Sequence, residues 1–239
     1  MDDFGTESFE NSLDSRFTKK EQLIEVSVFL SLILPSMALS FFAIKQGALN
    51  FVLVAISTIL RDLALVGLIL FFIWRNGEPI KLIGWTFKNA YRQIVLGIVL
   101  FVPIFYIAGF LENILHAVGF SAPSTPLPSS LTATGIGQFV LAFILVSIVA
   151  LAEETMFRGY LIHRFRAVSA NPGLAVFLSA FIFSLGHGYE GTAGIITVGF
   201  LGIVFALVYL WQKSLVAPIV MHFLLDSVGI ILVPLITGK

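Results

Sequence analysis

The chain has 239 residues, of which 58% are hydrophobic and only 12% are charged. About a quarter of the residues of an ordinary soluble domain are charged, so this composition predicts a membrane protein. The formal net charge of zero argues against a nucleic-acid partner, and the absence of cysteine excludes disulfides, thiol nucleophiles and thiolate metal sites.

The chain begins with a polar, acidic segment, and we expect residues 1–21 to form a tail. Residues 22–236 form one predicted membrane domain, with the motif-bearing part at 137–236. Its apolar stretches each approach the ~20 residues that a helix needs to cross the hydrocarbon core. They do not alternate polar and apolar residues as barrel strands do. The sequence therefore predicts an all-α, polytopic transmembrane helix bundle of about seven to eight spans, at 22–44, 51–74, 94–113, 137–163, 174–190, 193–211 and 215–236.

Two connections stand out between these spans. Residues 116–135 are rich in serine, proline and threonine, which predicts a loop. Four glycines between 186 and 194 interrupt the apolar stretch 174–211, so we expect two helices there rather than one.

Lysine and arginine residues predict the orientation. They cluster before the first span, between the second and third, after the fourth, and between the sixth and seventh. Seven crossings bring all these connections to one side, whereas the connection 114–136 has neither residue. Because cytoplasmic loops are enriched in lysine and arginine, we expect an integral membrane protein with a cytoplasmic N-terminus and with Lys239 on the other side.

Several ionisable residues interrupt the apolar spans. Such a side chain at the bilayer centre costs ~2.5–3.5 kcal/mol on insertion scales, so it normally faces a partner or a water-filled cavity. Counted from the cytoplasmic ends of their helices, Glu154 lies ~18 Å deep, His187 ~22 Å, His222 ~14 Å and Asp226 ~20 Å. These similar depths on three helices predict one shared site.

The spacing within the motifs supports this interpretation. Glu154 and Arg158 are four residues apart and share a helix face, so the arginine can hold the carboxylate ionised. His222 and Asp226 have the same spacing, so Asp226 can orient the imidazole. Adjacent helical residues are separated by ~100°, so Glu153 and Glu154 cannot both face one water without a distorted turn. Alignment with Arg158 favours Glu154 as the base, and Glu153 is the alternative.

Glutamate and histidine together suit the activation of water against a carbonyl group. The glutamate is the general base, and His187 and His222 position the water or stabilise the oxyanion. No GxSxG nucleophile pattern occurs in the sequence. The same side chains could instead bind Zn²⁺, although no HExxH pattern occurs, so metal use stays open.

The three motifs resemble those of the CPBP family of intramembrane proteases, which includes the type II CAAX prenyl endopeptidases and bacterial bacteriocin-processing or immunity proteins. The family pattern EExxxR, FxxxH and HxxxN or HxxxD appears as Glu153–Arg158, Phe183–His187 and His222–Asp226. The resemblance implies a helical bundle, without organic cofactor, that cleaves a membrane-associated protein or peptide. It also implies a membrane-lipid environment, such as a bacterial inner membrane. It further implies a site formed by Glu153 or Glu154, Arg158, His187, His222 and Asp226. The prenyl-processing branch usually ends its third motif in asparagine, whereas the aspartate here fits the broader bacterial group.

Two rival hypotheses accompany the protease. The first is a non-catalytic membrane scaffold or immunity protein of the same family, and the second is an ion or proton pathway in a transporter. Transporters often carry internal repeats, which this sequence lacks. Arg61 and Asp62 lie within the second span, and we expect them to form an ion pair that bridges helices or, alternatively, a wall of the hydrophilic chamber.

Overall fold

The computed structural model describes residues 18–46, 50–121 and 133–237. Most of the tail, the centre of the predicted loop 116–135, and Lys239 lie outside these ranges. The described residues form seven helices and no strand. They are α1 (Lys19–Gln46), α2 (Phe51–Arg75), α3 (Ala90–Ala117), α4 (Gly135–Ser169), α5 (Pro172–Leu185), α6 (Gly191–Gln212) and α7, which consists of Val216–Asp226, Ser227–Leu232 and Val233–Thr237.

The prediction of an all-α membrane bundle is confirmed. Six of the helices are long and apolar enough to cross a membrane. Helix α5 differs from its predicted span because its 14 residues extend only ~21 Å, less than the ~30 Å hydrocarbon core. The expected break in 174–211 lies between Leu185 and Gly191, where a short 3-10 turn connects α5 to α6.

Local sequence signals explain several of these boundaries. The side chain of Asn50 accepts a hydrogen bond from the Leu53 amide at 2.9 Å and caps α2. Asn171 caps α5 in the same way at 3.0 Å, and Pro172 follows at the first helical position, where its missing N–H is tolerated. Gly191 begins α6 with a φ of +78°, a conformation that favours glycine.

Contacts between the connections identify the two ends of the bundle. At one end, the Leu215 amide donates to the Gly84 carbonyl at 3.1 Å, which joins the connection before α7 to the connection before α3. At the other end, the hydroxyl groups of Ser121 and Thr192 lie 3.0 Å apart, which joins the segment after α3 to the start of α6. The connections before α3 and α7 therefore lie at one end of the bundle, and the segments after α3 and before α6 lie at the other.

A network of charged and amide groups ties three helices together at the first end. We call it the end clamp, and it consists of Glu25, Arg75, Asn76, Glu78 and Arg164. Arg75 and Asn76 donate hydrogen bonds to Glu25 Oε1, and Arg164 Nη2 lies 3.0 Å from Glu25 Oε2. Arg164 also donates to both oxygens of Glu78, at 2.7 and 2.6 Å. The end clamp therefore fixes the ends of α1, α2 and α4 at one level.

Helix α4 lies at the centre of the apolar core. The ring of Tyr160 contacts Phe29 of α1 and Phe72 of α2, with centroid distances of 5.4 and 6.3 Å. A Cβ atom on Gly159 would lie 2.6 Å from the Ile83 carbonyl oxygen, so only glycine allows this close approach. Packing on several sides therefore fixes the rotation and height of the helix that carries the first motif.

Candidate active site

A π-helical stretch begins immediately after Glu153 and covers Glu154–Leu161. Such stretches are rare and often occur at functional sites. Hydroxyl groups support the altered backbone, because Ser179 of α5 donates to the Phe157 carbonyl at 2.6 Å. The Thr155 hydroxyl accepts a hydrogen bond from Trp85 Nε1 at 3.0 Å. This is the kind of distorted turn that two neighbouring glutamates need in order to approach one group.

Glu154 is fully buried and makes the shortest contacts of the site. Its Oε1 atom lies 2.8 Å from His222 Nδ1 and 2.9 Å from Arg158 Nη1. The first contact is a hydrogen bond, whereas the second is an ion pair without hydrogen-bond alignment. An ionised Glu154 fixes the proton of His222 on Nδ1, so Nε2 is left for other partners.

The second nitrogen of His222 lies between two further carboxylates. His222 Nε2 is 3.7 Å from Glu153 Oε2 and 3.5 Å from Asp226 Oδ2. These distances exceed those of direct hydrogen bonds and allow a small rearrangement or a bridging group. We call Glu153, Glu154, Arg158, His222 and Asp226 the motif cluster.

Arg158 lies behind the cluster and is 1% exposed. Its guanidinium carbon is 4.2 Å from the centre of the Phe183 ring and 5.3 Å from that of Phe205. A cation over aromatic faces gains attraction in a desolvated environment. Arg158 is therefore held by Glu154 and by two rings, which makes it a positioning group for the carboxylate.

His187 follows the end of α5 and reaches the site from a third direction. Its Nδ1 atom lies 3.2 Å from the Phe183 carbonyl oxygen, and its ring centre is 4.9 Å from that of Phe183. The Phe183 ring also contacts His222, at 6.0 Å between centres. One phenylalanine therefore packs against both histidines and the arginine of the three motifs.

A cavity of about 960 Å³ joins these groups. Four of the six predicted site residues line it, namely Glu153, His187, His222 and Asp226. Glu154 and Arg158 lie behind that wall. The three motifs therefore meet at one cavity, and of the two glutamates only Glu153 faces it.

Sequence reasoning missed several polar residues of the cavity wall: Glu112, Tyr189 and Glu190. Tyr189 and Glu190 lie in the glycine-rich break directly after His187, and their position beside that histidine could have identified them as site residues. Glu112 lies on α3, in a part of the sequence without a motif. Arg61 and Asp62 also line the cavity, as the alternative hypothesis for them expected.

The donor set bears on metal binding. Within residues 18–46, 50–121 and 133–237, no group of three or more histidine, aspartate or glutamate side chains is arranged to hold a metal ion. The described residues offer a carboxylate at a cavity, an imidazole oriented by a second carboxylate, and a second imidazole nearby. Such groups can remove a proton from water and stabilise developing negative charge.

Comparison with known families agrees with this geometry. Residues 135–228 match the family model described as type II CAAX prenyl endopeptidase Rce1-like. This part of the chain, less than half of its length, is similar to that family. The match contains all three motifs and confirms the resemblance predicted from them. No curated protein and no solved structure gave a significant match.

The match of residues 135–228 and the apolar helices together indicate the class of the protein. The chain is an integral membrane protein, because six helices are long and apolar enough to span a bilayer. The family that residues 135–228 match is a protease family. Helices α1 to α3 precede the matched residues, yet all three contribute to the same cavity.

Proposed function

We propose that the protein is an intramembrane endopeptidase that hydrolyses a peptide bond of a membrane-associated protein or peptide with a glutamate-activated water. The observation that carries the proposal is the different position of the two glutamates relative to the cavity. Glu153 lines the cavity, whereas Glu154 is buried behind it in contact with His222 and Arg158. This favours Glu153 as the general base and Glu154 as the group that orients His222.

The proposed reaction begins when Glu153 accepts a proton from water as the oxygen attacks the carbonyl carbon. His222, with its Nδ1 proton held by Glu154, and His187 stabilise the negative charge on the carbonyl oxygen. The bond from carbon to nitrogen then breaks, and Glu153 returns the proton to the departing amine. No organic cofactor takes part in these steps.

The test compares membranes from cells that express the parent protein, Glu153→Gln or Glu154→Gln, with peptides identified by mass spectrometry. The control is Glu21→Gln, which alters an exposed glutamate at the start of α1. We expect peptide products to disappear with Glu153→Gln and to persist with the control. Identical peptide patterns in the parent and Glu153→Gln membranes would overturn the proposal and favour the non-catalytic scaffold or immunity protein.

Metal dependence needs a separate experiment on the purified protein. Elemental analysis measures bound zinc, and a chelator followed by metal re-addition measures its effect on cleavage. We expect cleavage to survive chelation, because Glu153 and the histidines suffice for the proposed steps. Loss of cleavage with chelator and its recovery with Zn²⁺ would replace this mechanism with metal-assisted hydrolysis.

The proposed location is a bacterial inner membrane, with a cytoplasmic N-terminus. The cysteine-free sequence allows a direct test, because single cysteines can be introduced and labelled with a membrane-impermeant thiol reagent. Lys88→Cys and Val118→Cys change exposed residues near opposite ends of α3. We expect a reagent outside intact cells to label only the cysteine at position 118. Labelling of only the cysteine at position 88 would show the opposite orientation.

A further inference from the structure

Arg61 is the only arginine or lysine among the described residues that line the cavity. Most of the other charged side chains of the wall are carboxylates: Asp62, Glu112, Glu153, Glu190 and Asp226. Arg61 lies on α2, outside the residues that match the Rce1-like family. The proposed hydrolysis does not use it, so its presence inside an apolar span needs another explanation.

The pair of Arg61 and Asp62 does not join two helices. Arg61 Nε and Nη2 both lie 2.8 Å from Oδ1 of the adjacent Asp62. Asp62 is fully buried, whereas the Arg61 side chain is 28% exposed and lines the cavity. The expectation of an ion pair that bridges helices therefore does not describe this contact, because both partners belong to α2.

The geometry assigns different tasks to the two residues. Asp62 holds one edge of the guanidinium, and the Nη1 atom takes no part in these contacts. A guanidinium offers donors in a rigid planar fork that matches a carboxylate. Neutralisation by a buried aspartate allows the arginine to remain in an apolar span. Asp62 therefore positions Arg61, and Arg61 presents the remaining donors to the cavity.

Arg61 lies close to the level of Glu153 along the bundle. The end clamp holds Arg75 of α2 and Arg164 of α4 against the same carboxylate of Glu25. Arg61 is ~21 Å along α2 from Arg75, and Glu153 is at most ~17 Å along α4 from Arg164, since part of that stretch is π-helical. The difference in level therefore corresponds to roughly one or two residues of an extended peptide, in which each residue rises ~3.3 Å.

We propose that Arg61, positioned by Asp62, binds a carboxylate of the substrate inside the cavity. The carboxylates elsewhere on the wall repel a negative group, and the proposed hydrolysis uses the two histidines. Among the described wall residues, the arginine is therefore the favourable place for a further carboxylate. The carboxylate is either the free C-terminus of the substrate or an aspartate or glutamate side chain near the cleaved bond. This inference rests on the proposed function and adds a specificity determinant to it.

The test measures peptide binding and cleavage with the full chain in nanodiscs. The probes are acetylated hexapeptide libraries of apolar residues in three forms: a free C-terminal carboxylate, a C-terminal amide, and an amide with one internal glutamate. Binding is measured with Glu153→Gln protein, which does not consume the peptide, and cleavage with the parent. The forms with a carboxylate should bind at least ~10-fold more tightly than the plain amide, as one charge-assisted hydrogen-bonded pair predicts.

The variants Arg61→Lys and Arg61→Gln/Asp62→Asn are each tested in both backgrounds. The double variant removes both charges, so it avoids leaving Asp62 buried without its partner. We expect it to abolish the preference for a carboxylate, with KM raised and kcat little changed, and Arg61→Lys to retain part of the preference. Arg92→Gln, an exposed arginine of α3 that does not line the cavity, should change nothing.

The outcomes separate this inference from the proposed function. Cleavage of acid and amide forms at equal rates contradicts the Arg61 site and leaves the protease intact. A carboxylate preference in binding without any cleavage supports the site and contradicts the protease. A preference that persists in the double variant, or no binding of any peptide form, overturns the Arg61 site. The ratio of the two carboxylate forms identifies which source the site recognises.

Discussion

Helix α4 carries two polar clusters about ten residues apart that are built in different ways. In the end clamp, Arg164 donates to both oxygens of Glu78, and Glu25 receives hydrogen bonds from Arg75 and Asn76. In the motif cluster, the only aligned hydrogen bond among the described residues joins His222 to Glu154. His222 Nε2 lies farther from its other neighbours, at 3.5 Å from Asp226 and 3.7 Å from Glu153, and a large cavity adjoins these contacts.

The comparison teaches which cluster supports the fold and which is available for chemistry. A bidentate arginine and carboxylate pair is rigid and needs nothing further. A cluster with spare acceptors beside a cavity can receive water and substrate, and it depends on the surrounding helices for its shape. Mutations in the two clusters should therefore affect different measured quantities.

The largest expected effect is on the motif cluster. Glu153→Gln should lower kcat by ~10²–10⁴-fold, the usual range for a lost general base. Stability should change little, because Glu153 makes no short hydrogen bond with the described residues and faces the cavity. Cleavage assays and thermal unfolding of the same preparation test both statements. An equal loss in unfolding temperature would mean that Glu153 has a structural role instead.

The opposite pattern is expected for the end clamp. Arg164→Gln leaves Glu78 and Glu25 without their buried partner, which should reduce the free energy of unfolding by about 3 kcal/mol or more. Chemical denaturation in detergent measures this loss, with Lys88→Gln as the exposed control. The double variant Arg164→Gln/Glu78→Gln should recover part of it. A drop in activity with unchanged stability would contradict the assignment of Arg164 to the scaffold.

The two glutamates of the first motif sharpen the comparison further. Glu154→Gln keeps an oxygen that can accept a hydrogen bond from His222 Nδ1, so the imidazole retains its orientation. The substitution removes the negative charge of the carboxylate beside it. We expect a ~10–100-fold decrease in kcat, as for other groups that orient a functional side chain. The measurement is the kcat ratio of the two glutamine variants. A larger decrease for Glu154→Gln than for Glu153→Gln would exchange their proposed roles.

The close approach at Gly159 offers a test of the packing that supports both clusters. Gly159→Ala forces a Cβ atom against the Ile83 carbonyl oxygen, and overpacking of this kind costs ~1–3 kcal/mol. Gly109→Ala is the matched control, because nothing lies within 4 Å of a Cβ atom there. The free energies of unfolding of both variants provide the comparison. Equal stability of the two would show that α4 can shift away from Ile83.

The end clamp is also expected to show a pH dependence. Burial alone would raise the pKa of Glu78, but hydrogen bonds with His163 and Arg164 and the charge of Arg164 lower it to about 2, from an ordinary 4.5. The folded state therefore binds fewer protons than the unfolded state between these values. The stability due to Glu78 should be complete above pH 4.5 and should decline as the pH falls towards 2. Thermal unfolding across this range tests the decline, which Glu78→Gln should remove.

The sequence was sufficient to predict the helices and to predict that the three motifs meet. Long apolar stretches define the spans, and the similar depth of Glu154, His187 and His222 follows from helix geometry. The length of α5 was not predictable, because the apolar pattern continues beyond Leu185 to the glycine-rich turn.

Long-range partners were also beyond sequence reasoning. Nothing around Glu25 indicates that it pairs with Arg75 and Arg164, which are distant in the chain and arrive only when three helices pack. The choice between Glu153 and Glu154 depends on the rotation of one turn, which the position of the π-helical stretch determines. Local spacing favoured Glu154, whereas the neighbours in space favour Glu153 for the role that faces the cavity.

The π-helical stretch Glu154–Leu161 carries Glu154 and Arg158 of the motif cluster and ends just before Arg164 of the end clamp, so it sets the angle between the two clusters. Such a stretch accommodates one additional residue, equivalent to an angular phase shift of ~100° for everything that follows. Deleting a single residue within it would restore regular winding and turn Arg164 away from Glu78 if Glu154 stayed on His222. Arg164 can contact Glu78 while Glu154 contacts His222 only because the helical winding changes between these two positions of α4.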